Sequence, residues 1–361
     1  MRQRLIRELA VLALRSPECL PGFTPAEWSL LVRQARNSGV LARLQARLEA
    51  QGTLQDVPLA ARNHLEAARR IADKQMQSAR WEIVQIRAAL EDSGIPVVLL
   101  KGAAYLAAGL PPAIGRMFAD IDIMVPETAL EQVEKRLMLH GWMAEKLHPY
   151  DQRYYREWMH ELPPLRHCRR GTVIDVHHGI LPRTSRYALD SRLLHEAAVP
   201  VGDGSALRML APADMVLHSI VHLFCDGEFD RGLRDLYDID DLIVHFSADP
   251  AFPARLADRA IALGIARPLY YALVWRQRLL GKPAHEDLEP AMRAGAPGPV
   301  IGLLMSALLE RAMLPSHPSC DQAFTGVARN LLYMRGHWLR MPPRLLLPHL
   351  WRKAWRGDSE N

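Results

Sequence analysis

Apolar positions along the chain change their spacing twice. Over residues 1–92 they recur every three or four residues. In "AARNHLEAARRIADKQMQSARWEIVQIRAALEDSG", Leu65, Ile71, Ile83, Ile86 and Leu90 fall at helical intervals. "TPAEW" offers Thr24 as an N-cap, Pro25 at the first helical position and Glu27 at the third, a capping-box arrangement. The opening "MRQRLIRELAVLALRS" carries Arg7 and Glu8 within its apolar part, so it predicts an amphipathic helix and not an export signal. Helical spacing stops at "DSGIP", where Gly94 and Pro96 end helices. "IPVVLLKG" is then a short continuous apolar run, the sign of a strand covered on both faces. "MFADIDIMV" and "GTVIDVHHGI" predict further strands, and "PETALEQVEKRLMLHGW" a helix that opens at Pro126 and closes at Gly141. The Tyr- and Arg-rich stretch "HPYDQRYYREWMHELPPLRHCRR" predicts one more strand and an exposed loop. From "APADMVLHSIVHLF" onward the spacing is helical again. The expected layout is a helical region over 1–93, a small α/β core over 94–205 and a helical domain over 206–361, an α+β chain without internal repeats.

One strand interrupts its own apolar pattern with acid. Side chains on a strand alternate faces, so Asp120 and Asp122 share a face with Phe118 and Met124, while Ala119, Ile121, Ile123 and Val125 form a wholly apolar face. Two carboxylates about 6–7 Å apart repel, and one pKa rises unless a cation lies between them. Mg2+ meets that need: it takes oxygen ligands, binds through one or two carboxylates, and shares its other positions with water and phosphate. In "VIDVHH" the same alternation turns Ile174 and Val176 to the core and Asp175 to the opposite face, with Val173 and His177. If the two strands are neighbours, three carboxylates converge, as two-metal phosphoryl or nucleotidyl transfer requires. Upstream, "LLKG" ends a strand and opens a helix, where backbone N–H groups suit a phosphate. Gly102 lets the backbone approach closely, and Lys101 and Arg116 are cationic partners for a triphosphate.

Composition narrows the setting. With 361 residues, 49% hydrophobic and 24% charged, the chain is large and apolar enough to bury a core. A net charge of +5 is too mild to argue for a nucleic-acid track. Cys19, Cys168, Cys225 and Cys320 are scattered without a CxxC, as suits reduced, mostly buried thiols in a cytoplasmic protein. No run of 18 uninterrupted apolar residues predicts a transmembrane segment.

Three other features invite chemistry. His177 and His178 are adjacent on a strand and point to opposite faces, so they cannot chelate one ion; His177 shares the face of Asp175. His218, His222 and Asp226 follow at i, i+4 and i+8 on one helix, without the glutamate of a zinc-protease motif, and the expectation is a helix interface. Arg234 and Asp238, in "FDRGLRDLYDIDDLI", predict an i,i+4 salt bridge. The basic, Trp-rich end carries Arg335, Arg340, Arg344, Arg352, Lys353 and Arg356 among Trp338, Trp351 and Trp355, a mix suited to peripheral membrane or protein contact.

The order Lys101-Gly102, Arg116, Asp120-Ile121-Asp122 and Asp175 in "IDVHH" resembles the DNA polymerase β-type nucleotidyltransferase superfamily. Within it, the pattern is most similar to a family of uncharacterised nucleotidyltransferases, over roughly residues 60–245. The resemblance implies a polymerase β-like mixed-sheet core flanked by helices. It implies that NMP passes from an NTP, ATP foremost, to a hydroxyl on an unidentified protein, RNA or small molecule. It also implies two Mg2+ ions, with Mn2+ able to take their place, on Asp120, Asp122 and Asp175, and nucleotide contacts from Lys101, Gly102, Ala103 and Arg116. A helix similar to "LR..YDI" lies beside the cleft in relatives, which adds Arg234 and Asp238 as nucleotide-binding candidates. This chain has Gly102-Ala103 where the superfamily usually has Gly-Ser or Gly-Gly, so the phosphate grip falls to backbone, Lys101 or Arg116. That substitution favours the alternative, a catalytically inactive nucleotide-binding or scaffold protein; the three acids favour the enzyme.

Overall fold

Thr24 and Glu27 close the expected capping box: the Glu27 N–H donates to Thr24 Oγ1 at 3.3 Å, and the Thr24 N–H to Glu27 Oε2 at 2.7 Å. The computed structural model describes residues 8–144, 155–156, 158–202 and 206–342. The N-terminal region is helical, with α1 (Leu9–Arg15), α2 (Pro25–Asn37), α3 (Leu41–Ala50) and the long α4 (Leu59–Leu90). On α4, Leu65, Ile83, Ile86 and Leu90 are buried as expected, but Ile71 is 53% exposed. The inward line runs Leu65, Ala72, Ala79, Ile86, in steps of seven, and Ile71 stands about 100° away from it.

The sheet follows. β1 (Val97–Leu99) leads into α5 (Lys101–Ala107), then come β2 (Asp120–Met124), α6 (Leu130–Leu139) and β3 (Trp142–Ala144). β4 (Leu165–His167) and β5 (Val173–His177) precede α7 (Arg192–Ala197), β6 (Val199–Pro200) and β7 (Leu207–Met209). Seven strands pair in the order β3-β4-β5-β2-β1-β7-β6. β2 runs parallel to β5 and antiparallel to β1, so the sheet is mixed. β7 lies parallel to β1 and carries the sheet to Met209, beyond the 94–205 span expected for the core. The Tyr- and Arg-rich stretch contributes β4, and its segment His160–Leu162 adds a short antiparallel bridge to the end of β5.

The chain then returns to helices: α8 (Pro212–Cys225), α9 (Gly232–Phe246), α10 (Phe252–Ala262), α11 (Ala266–Trp275), α12 (Glu289–Gly295), α13 (Pro299–Ala312) and α14 (Thr325–Arg340). One apolar core runs from Leu9 through the sheet to Leu339, so the flanking helices share it with the strands. Cys225 and Cys320 are buried, whereas Cys168 is exposed, and all four cysteines are free thiols. Among the described residues no single helix is long and apolar enough to cross a membrane. On α14, Arg335 donates to the Phe224 carbonyl at 2.8 Å, and the Arg186 guanidinium lies 3.7 Å from the centre of the Trp338 ring. Arg344, Trp351, Arg352, Lys353, Trp355 and Arg356 lie outside the described residues.

A buried ion pair fastens α4 to the strand layer. Glu82 is 1% exposed, and Arg170 donates to both of its oxygens at 2.8 and 3.0 Å. Thr172, just before β5, donates to the same carboxylate at 2.7 Å. Removing Glu82 leaves Thr172 and the three-quarters-buried Arg170 without that acceptor, which costs about 1–3 kcal/mol. Glu82→Ala is therefore expected to lower the free energy of urea unfolding by that amount, and a loss below about 1 kcal/mol would contradict the role given to this pair.

Candidate active site

Strand register brings the acids together. In the parallel β2–β5 pair Asp122 stands opposite Asp175, Asp120 opposite Val173, and Met124 opposite His177. The three carboxylates line one cavity of about 280 Å3, together with Lys101, Gly102, Arg116 and Arg234. Two site candidates lie elsewhere. Ala103 is buried inside α5 and is not part of the cavity wall, because the helix turns its side chain into the core. Asp238 is 3% exposed beneath the cavity, where it pairs with Arg116 and, at 2.5 Å, with Arg43 of α3.

The Arg234–Asp238 bridge expected at i,i+4 is absent. Arg234 instead binds Asp235, with Nη2 and Nε at 2.5 and 2.8 Å from Oδ1. Two guanidiniums from outside the helix take Asp238, and Arg234, itself buried, is satisfied by the neighbouring Asp235. Gly102 also differs from the expected phosphate turn. A Cβ there would lie 3.0 Å from Arg116 Nε and 3.2 Å from Phe118 Cε1, so its lack of a side chain makes room for Arg116. Lys101, where β1 gives way to α5, adopts a left-handed φ of 40°, a strained conformation for a residue with a Cβ.

The three acids are not electrostatically equivalent. Burial raises the Asp122 carboxyl, but Lys101 and His177 overcome that and hold it well below the usual range. Asp120 is raised, first by burial and then by the charge of Asp122. Asp175 is pushed up to about 7 by burial, then by Asp122 and Glu161. Lys101 Nζ lies 3.2 Å from His222 Nδ1; burial lowers its pKa, yet Asp122, Asp226, Glu161 and Asp120 raise it on balance. Asp175 Oδ1 is buried with no hydrogen-bond partner. An all-oxygen set with one orphaned, buried acceptor and a carboxylate pair short of positive charge fits a divalent cation such as Mg2+.

His177 is on the same wall, its Nε2 3.0 Å from Asp122 Oδ1 and its Nδ1 3.2 Å from Glu161 Oε2. His178 faces away, near Glu127. The expected helix interface at His218, His222 and Asp226 is instead a wall of the cavity: α8 presents both histidines to it, and Asp226, just past the end of α8, lies with its Oδ2 2.6 Å from His222 Nδ1. His160, Glu161, Arg231 and Arg340 also line the wall, where the sequence pattern does not place them. The first two sit in "WMHELP", a segment without helical or strand periodicity, and Arg340 arrives from the far end of the chain, where its guanidinium donates to the Asp226 carbonyl at 3.1 Å.

Asp238 is the test of this wiring. Asp238→Ala takes the carboxylate from the buried Arg116 and leaves Arg43 only Asp241, at 3.7 Å, and two backbone carbonyls, with an expected loss of about 3–5 kcal/mol. Arg234→Ala leaves Asp238 with both of its cations and takes the partner from Asp235 instead, so Arg234 is expected to couple energetically to Asp235 and not to Asp238. Thermal unfolding of the single and double variants checks this, and a coupling between Arg234 and Asp238 above about 1 kcal/mol would restore the i,i+4 pair.

Neither the curated proteins nor the solved structures contain a match to the chain. A family described as an uncharacterised nucleotidyltransferase does match, over residues 24–281. The matched span takes in α2 through α11, with Asp120, Asp122, Asp175 and the α8–α9 wall of the cavity, and stops short of Arg340. Since the match covers most of the chain, the protein belongs to the uncharacterised nucleotidyltransferase family.

Proposed function

We propose that this protein is a Mg2+-dependent enzyme that transfers NMP from an NTP, ATP foremost, to a hydroxyl on a protein, RNA or small molecule. The observation that carries the reading is the convergence of Asp120, Asp122 and Asp175 on one cavity, with Asp175 Oδ1 buried and unpartnered. These three residues would hold two Mg2+ ions, which supply charge neutralisation at the phosphates and lower the pKa of the attacking hydroxyl. Mn2+ has the same oxygen preference and is expected to substitute.

In the proposed reaction the acceptor oxygen bonds to the α-phosphorus as the bond from that phosphorus to the bridging oxygen of the β-phosphate breaks. Pyrophosphate leaves, and the hydroxyl proton passes to the Asp175 carboxylate. Lys101, held charged by the acids around it, faces the developing negative charge. Arg231, Arg234 and Arg340 line the same cavity and supply further positive charge for a triphosphate. Arg116 is committed to Asp238, so its part is to shape the wall over Gly102. Positioning and charge account for the proposed catalysis, and no protein nucleophile is needed.

One observation favours a second reading. Arg116 and Phe118 fill the space above Gly102, and Ala103 offers no hydroxyl, so the turn lacks the open cradle of a strong phosphate grip. An inactive nucleotide-binding or scaffold protein would tolerate that. Calorimetry with each NTP, with and without Mg2+, separates the two on the wild type and on Asp120→Asn/Asp122→Asn. The enzyme reading expects Mg2+-dependent binding that the double variant loses. Absence of binding, or binding indifferent to metal and mutation, would leave the scaffold reading in its place.

A further inference from the structure

The segment His160-Glu161-Leu162 closes the cavity beside β5. The His178 N–H donates to the His160 carbonyl and the Leu162 N–H to the Val176 carbonyl, both at 2.8 Å, and Glu161 bridges His177. This pairing gathers three ligating side chains that the carboxylate site does not use. One ligand atom each from His160, Glu161 and His177 lies within 4.8 Å of the other two. His177 Nδ1 and Glu161 Oε2 are 3.2 Å apart, close to the roughly 3.3 Å that two ligands keep on a tetrahedral ion with bonds of about 2.0–2.1 Å. The other nitrogen, His177 Nε2, lies 3.0 Å from Asp122 Oδ1, and a carboxylate behind a ligating imidazole is what fixes its ring and tautomer. His160 Nδ1 is buried with no hydrogen-bond partner.

We infer that His160, Glu161 and His177 form a binding site for a first-row transition ion, zinc foremost, distinct from the all-carboxylate Mg2+ site. Two imidazoles and one carboxylate suit zinc and select against Mg2+, which prefers oxygen. Three protein ligands leave a fourth position for water or substrate, and all three residues line the cavity. Asp122 joins the two sites, behind His177 in one and among the acids of the other. The zinc site stands on its own geometry and does not depend on the nucleotidyl-transfer reading.

The test is zinc binding by the full-length, chelator-treated protein in excess Mg2+, followed by calorimetry and by metal analysis after desalting, with Co2+ absorption as a spectroscopic stand-in. The expected result is one zinc per chain and a Co2+ spectrum of tetrahedral intensity. Asp120→Asn removes a carboxylate but none of the three ligands and keeps the zinc. His160→Ala weakens zinc binding about tenfold or more. Glu161→Gln, which preserves shape, does the same and serves if His160→Ala fails to fold. Zinc binding that survives both His160→Ala and Glu161→Gln, is lost in Asp120→Asn, or is absent in excess Mg2+ would overturn the site and leave Asp122–His177–Glu161 as a hydrogen-bonded chain.

Discussion

Three carboxylates on two neighbouring parallel strands cannot all be ionised on one face without a source of positive charge. Two unit charges about 5 Å apart at an effective dielectric of about 20 repel by about 3 kcal/mol, several times the worth of a surface salt bridge. The fold answers with groups brought from distant parts of the chain. Lys101 enters from the β1–α5 junction at a strained φ, and the Leu100 N–H next to it donates to the Asp122 carbonyl at 3.0 Å. His177 contacts Asp122 from β5, and His222 from α8 contacts Lys101. The charges of Lys101 and His177 hold Asp122 down, while burial, followed by the charge of Asp122, leaves Asp120 and Asp175 with raised pKa values. That residual imbalance is the physical case for a divalent cation.

Around the cavity lies a second layer of charge whose work is mechanical. Asp238 on α9 joins Arg43 on α3 to Arg116 in the loop before β2. Next to Arg116, Gly115 turns with a φ of 66°, and a Cβ there would come within 2.6 Å of the Arg43 backbone nitrogen. Glu82 similarly ties α4 to Arg170 and Thr172. The flanking helices are thus bound into the wall of the site through buried ion pairs. Such pairs are costly to break singly, which holds the site's geometry to one arrangement. The membership of the chain in a nucleotidyltransferase family agrees with a cavity built to hold concentrated charge.

Much of this was readable from the sequence because it rests on local period. The two-residue alternation in "DIDIM" and "VIDVH" turns Asp120 and Asp122, and likewise Asp175, away from the apolar face of its own strand, and the β2–β5 pairing brings the three together. Capping at Thr24 and the stop at Gly94 were likewise local. What escaped depends on tertiary contact. Nothing within α9 announces that Asp238 pairs with Arg43 and Arg116, and a helical i,i+4 rule chose Arg234 instead. His160 and Glu161 belong to an aperiodic segment placed by a single bridge to His177. Arg340 reaches the cavity only because α14 packs back against α8. Histidines on α8 looked like interface residues because burial is the commoner fate of an apolar helix face, and here that face borders the cavity.

The charge imbalance at Asp175 can be measured directly by thermal unfolding of the wild type and Asp175→Asn, with and without Mg2+. Without divalent cations and above about pH 7, where Asp175 is ionised, Asp175→Asn is expected to melt no lower than the wild type, since it removes an uncompensated charge and keeps the side chain's shape. With Mg2+, the wild type should gain stability and Asp175→Asn clearly less, because a ligand that binds only the folded state raises its melting point. A wild type indifferent to Mg2+, or an Asp175→Asn that gains as much, would contradict the account of three acids joined by a metal.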